Sequence, residues 1–96
     1  MTQDEAQRLY AALRCLRTDD EVQAFLGDLC TPREIDDLSQ RLQVATLLSQ
    51  GHSYNDVIHA TGASSTTVSR VSRCLKGERG GYRTVLERLD GKDPQA

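Results

Sequence analysis

Between Thr61 and Lys76 the chain reads TGASSTTVSRVSRCLK: serine and threonine hydroxyls, three basic groups (Arg70, Arg73, Lys76) and no acid. Hydroxyls at the start of a helix donate to phosphate oxygens or base edges, and the unpaired N–H groups there favour an anion. Basic groups further along hold a polyanionic backbone. Ser64, Ser65, Thr66 and Ser69 are therefore the candidates for groove contact with double-stranded DNA. Arg73 and Lys76, with Ser53, Tyr54 and Asn55 upstream, are the candidates for phosphate contact, and Arg70 faces either DNA or a ligand. Hydroxyl-rich readout with few bidentate donors predicts modest selectivity, supplemented by bridging water and DNA shape. A plain helical hairpin with a solvated basic face fits the same spacing. So does a helical protein–protein interaction module that ignores DNA and uses the acidic half of the chain.

Other chemistries find little support. Asp36 and Asp37 are adjacent, so on a helix they point in different directions and do not form a working carboxylate pair. Neither a glycine-rich phosphate loop nor a nucleophile motif occurs, and the chain is not expected to be an enzyme. His52 and His59 are a poor chelate, so no metal is expected; both are read as partly exposed, with His59 within reach of phosphate. Cys15 and Cys30 lie beside apolar stripes and read as core. Cys74 stands among arginines that favour a thiolate, but reads more simply as a small half-buried apolar residue. Three cysteines at these spacings predict reduced thiols.

These residues need elements to position them. Ninety-six residues, 38% of them hydrophobic, make one small domain, expected over 1–91, for which a second chain is a natural source of extra core. Net charge is −2, but it is unevenly spread. Residues 1–39 hold nine acids against four arginines, whereas Gly62–Arg83 holds five basic groups and one acid, Glu78. The local field at a binding face outweighs the whole-chain balance. The start of the chain is acidic and amphipathic, unlike a secretion signal, and no apolar run approaches the roughly 20 residues a membrane span needs. A cytoplasmic protein is expected, of the bacterial type that associates with the nucleoid, with no membrane partner.

Helix punctuation is dense and strand signals are nearly absent, so the class is all-α with about six helices. Thr2-Gln3-Asp4-Glu5, Thr18-Asp19-Asp20-Glu21 and Thr31-Pro32-Arg33-Glu34 have capping-box spacing. They start helices whose apolar stripes are Ala6, Leu9, Tyr10, Leu13 and Leu16, then Val22, Phe25, Leu26 and Leu29, then a wider set from Ile35 to Leu48. The third helix should run to about Gln50, stop at Gly51, and be buried on more than one side. Ser53 caps a short helix over Tyr54–Ala60, Ser64 caps one from Ser65 to Lys76, and a last one spans Tyr82–Leu89. Lys92–Ala96 lacks apolar residues and is expected to be a disordered tail.

Residues 53–76 fit a helix-turn-helix, two short helices joined by a tight turn containing glycine. Val57, Ile58 and Thr61 form the inner face of the first helix, and Val68 and Val71 that of the second. Gly62 sits where the chain reverses, and Ala63 is small enough to let the helices approach.

From Leu29 to Leu89 the sequence resembles the Trp-repressor-like family, in its YerC/YecD branch. The match is carried by DLCTPREIDDLSQRLQVATLL, GHSYNDVIHATGAS and TTVSRVSRCLK, about two-thirds of the chain. The resemblance implies an interlocked all-helical homodimer that presents two recognition helices to successive major grooves, about 34 Å apart. It implies a dimeric regulator, most simply a repressor that occludes its operator. It also raises a corepressor pocket. Arg41 and Arg70 match the family's two pocket arginines, and Thr31 matches a threonine at the rim. Val71 stands where the Trp repressor has glycine against the ligand ring, and Cys74 replaces a hydrogen-bonding serine. Two valine methyls in that space cost about 1–3 kcal/mol, so tryptophan is not expected as a cofactor, and another small effector stays open. The arginines then bind a different anion or, as the favoured reading, pair with Asp36, Asp37 or Asp56.

Overall fold

A computed structural model describes residues 2–91, and the expected tail at 92–96 lies outside them. The described residues form six helices: α1 (Gln3–Arg14), α2 (Asp19–Leu29), α3 (Pro32–Ser49), α4 (Tyr54–Thr61), α5 (Ser65–Lys76) and α6 (Gly81–Leu89). The chain divides into two compact units, one up to Ile35 and one from Asp36 onward, with the boundary inside α3.

In the first unit local hydrogen bonds define the helix starts. Thr2 and Glu5 make the reciprocal capping box, as do Thr31 and Glu34, where the Thr31 N–H donates to Glu34 Oε1 at 2.8 Å. The middle box is only half formed. Thr18 Oγ1 accepts from the Glu21 N–H, but Glu21 Oε1 accepts from the Arg17 N–H, one residue before the cap. No residue of α1 or α2 is buried, so the apolar stripes of both helices stay accessible, Tyr10 at 60% and Leu29 at 52%. Cys15, expected in the core, is exposed for the same reason, and Cys30 is half-buried.

The second unit carries the core. Val44 and Ala45 of α3, Val57 of α4, Ala63 in the turn, Val68 and Val71 of α5 and Leu86 of α6 pack together. Leu42, Leu47, Leu48, Ile58, Leu75 and Tyr82 close around them. The wide apolar set of α3 is thus only partly used, because Leu38 remains 46% exposed. Each fully buried aliphatic side chain contributes about 1.5–3 kcal/mol, which ties α4 and α5 to the long helix. Gln40 adds a polar tie by donating from Nε2 to the Thr61 carbonyl at 3.2 Å.

Candidate nucleic-acid interface

Two capped helices and a glycine turn build the interface. Ser53 caps α4 by accepting from the Asp56 N–H at 3.1 Å, and Ser64 caps α5 by accepting from the Thr67 N–H at 3.1 Å. Between them Gly62 takes φ +72°, the left-handed conformation that ends α4, while its N–H donates to the Ile58 carbonyl at 2.9 Å. Ala63 is buried, which lets the two helices close on each other.

The inner face of α5 is Val68, Val71 and Leu75. At about 100° per residue, Ser65, Thr66, Ser69, Arg70, Arg73 and Lys76 fall within an arc of about 140° on the other side. All six are exposed, as are Ser53, Tyr54 and Asn55 at the start of α4. The hydroxyls of Ser65, Thr66 and Ser69 and the cationic groups of Arg70, Arg73 and Lys76 have no hydrogen bond or ion pair among the described residues. Ser64 differs. Its hydroxyl also donates to Thr67 Oγ1 at 3.1 Å, so the cap occupies the proton that groove contact would need.

The end of α5 is held by a residue that the sequence does not single out. Arg83 of α6 donates from one guanidinium nitrogen to the Leu75 carbonyl and from the other to the Gly77 carbonyl, the latter at 2.9 Å. It satisfies carbonyls that a helix end leaves open and places a cation at the negative end of the helix dipole. These partners lie eight and six residues away across a chain reversal, where no helical spacing points.

Within the second unit the candidate effector residues are divided between two hollows and the core. Arg41 and Arg70 line a hollow of about 250 Å³ with Asp37, Gln40 and Thr67. Neither arginine makes an ion pair with Asp36, Asp37 or Asp56 among the described residues. Arg41 donates to the Asp37 carbonyl one turn back at 3.4 Å, and Arg70 is exposed. The expected structural pairing is therefore absent, because the neighbouring acids leave their carboxylates in solvent. Val71 is 1% exposed within the core and does not border this hollow. Cys74 is exposed, not half-buried, and borders a separate apolar hollow with Leu42, Arg79, Tyr82 and Val85. Thr31 lies in the N-terminal unit, where its side chain caps α3. No group of three or more metal-ligating side chains occurs among the described residues, and no helix there is long and apolar enough to cross a membrane.

The profile of the Trp repressor protein family matches residues 4–90. The protein YerC of Bacillus subtilis (strain 168), whose function is uncharacterised, is 40% identical over 85 residues, 88% of this chain and 82% of its own. A TrpR-like protein from Eubacterium eligens superposes with a TM-score of 0.86 at 40% identity, covering 93% of this chain and 92% of that one. A candidate Trp repressor from Staphylococcus aureus also superposes at 0.86, with 38% identity over 93% and 89% of the two chains.

Proposed function

The chain belongs to the Trp repressor family, and from that premise we propose that it is a dimeric, DNA-binding transcriptional regulator that represses by occupying its operator. The observation that carries this reading is the outer face of α5: three unpaired cations and three unpaired hydroxyls on one arc, presented by a helix whose other face is buried. Partnerless cations on a fixed helix suit a polyanion, and their spacing along the helix suits phosphates flanking a groove. Ser65, Thr66 and Ser69 contact base edges, and Arg73, Lys76, Ser53, Tyr54 and Asn55 contact the backbone.

The accessible apolar stripes of α1 and α2 support a homodimer, since Leu9, Tyr10, Leu13, Val22 and Leu29 each stay at least 38% exposed. Two copies would place their α5 helices about 34 Å apart, on one face of the duplex. No catalytic step belongs to this function, and its setting is the cytoplasm. Tryptophan is not its cofactor in this proposal, because Val71 and Cys74 stand where the Trp repressor's pocket has glycine and serine. The hollow at Arg41 and Arg70 remains the place for any other small anionic effector.

Selection of genomic fragments by the purified protein, with light scattering on the same sample, tests the proposal. Recovery of a common sequence with two half-sites, bound by a particle of twice 10.6 kDa, is the expected result. A monomer that enriches no fragment contradicts it.

A further inference from the structure

A second basic feature lies beside α5, at the junction of α3, α4 and α5. A hollow of about 400 Å³ is lined by Ser49, His52, Tyr54, Ser72, Lys76 and Arg83, with Leu48, Gly51 and Leu75 as its apolar floor. Three of these side chains are basic and none is acidic. Lys76 belongs both to this hollow and to the outer arc of α5, so the two surfaces are continuous. The loop that carries His52 is fixed: its N–H donates to the Leu47 carbonyl at 3.2 Å, and Gly51 takes φ +92° to make the turn. The imidazole itself has no partner among the described residues.

We propose that this hollow receives a phosphodiester of the DNA backbone, and that protonated His52 holds it together with Lys76. The proposal rests on the DNA-binding reading above. An anion is the fitting ligand because the hollow offers cations and hydroxyls without a carboxylate to neutralise them. Arg83 contributes fixed positive charge, since its guanidinium is already held by the Leu75 and Gly77 carbonyls. Glu87 and Asp90 border the adjoining hollow beyond Arg83, and Asp56 on α4 does not line the site. Tyr54, Lys76 and Arg83 are the other titratable groups that line it.

A phosphodiester is anionic, so its contact favours the cationic form of an imidazole, and affinity should fall as pH rises.

The test is DNA affinity over a salt series at about pH 6 and about pH 8, for wild type and His52→Gln. Wild type should bind about fivefold more tightly per subunit at the lower pH. Its log affinity should fall more steeply with log salt there, by about 0.9 per subunit. His52→Gln should behave at both pH values as wild type does at the higher. His52 is exposed, so glutamine is tolerated by the fold. Steep, salt-sensitive binding by His52→Gln with the wild-type pH difference intact overturns the inference alone. Absence of DNA binding in both proteins overturns the DNA-binding reading together with it. Nuclear magnetic resonance of the imidazole separates DNA from a free anion: the duplex should move the His52 ring signal strongly, and inorganic phosphate at equal concentration should not. Equal movement by both would make this a free-anion site and contradict the proposal.

Discussion

Gly62→Ala isolates one term in the geometry of the helix pair. Gly62 has φ +72°, and a Cβ built on it meets no heavy atom within 4 Å. Its N–H bond to the Ile58 carbonyl involves backbone only, so the substitution leaves it in place. Strain in the left-handed region is then the whole native-state cost, about 1–2 kcal/mol for an L-residue. Alanine also narrows the unfolded ensemble, which offsets about 0.4–1 kcal/mol, so the net destabilisation should be about 1 kcal/mol. Gly81→Ala makes a fitting contrast: it too meets nothing within 4 Å but has an ordinary φ at the start of α6, so it should be neutral or stabilising by up to about 1 kcal/mol. Urea unfolding at one fixed protein concentration measures both, and only the Gly62→Ala midpoint should fall, at unchanged slope. Gly62→Asn should fall between wild type and Gly62→Ala, because asparagine tolerates this conformation better. If Gly62→Ala is as stable as wild type, the turn is not left-handed in solution, and the orientation of α5 derived from it is wrong.

Other outcomes follow from the same contacts. Ser64→Ala should lose about 1 kcal/mol by removing the α5 cap, seen as a lower urea midpoint. It should leave DNA affinity nearly unchanged, because that hydroxyl already serves Thr67. Arg83→Ala should cost about 1–2 kcal/mol by opening two carbonyls at the end of α5, with a matching rise in hydrogen exchange of the residues after Lys76. Addition of L-tryptophan should change neither DNA affinity nor melting temperature, and a shift of more than a few degrees in thermal melting would refute the exclusion based on the replacements at Val71 and Cys74.

What could be read from the sequence was what is local. Each cap is a hydrogen bond spanning three residues, so Ser53, Ser64 and the threonine boxes announced their helices. The outer arc of α5 was legible because one period of 3.6 sorts Val68 and Val71 from Thr66, Ser69 and Arg73. Periodicity also found the stripes of α1 and α2, but it reports that a face is apolar and not what covers it. They remain accessible in the single chain. Two features escaped because their partners are set by tertiary packing: Arg83 reaches back across a reversal, and His52 joins Lys76 across α4 and most of α5. Glu21 escaped for a local reason, since its carboxylate accepts from the Arg17 N–H, one residue before the expected donor. The effector residues were gathered by family position, and packing sent Val71 to the core and Cys74 to another hollow.

The assignment of α5 to DNA is tested most directly by the affinity of the full chain for double-stranded DNA over a salt series, beside an Arg73→Ala/Lys76→Ala variant. Wild type should show a steep fall in affinity with salt, and the variant a slope shallower by about one unit for each phosphate it no longer neutralises. Identical slopes for the two proteins, or no binding even at low salt, would contradict that assignment.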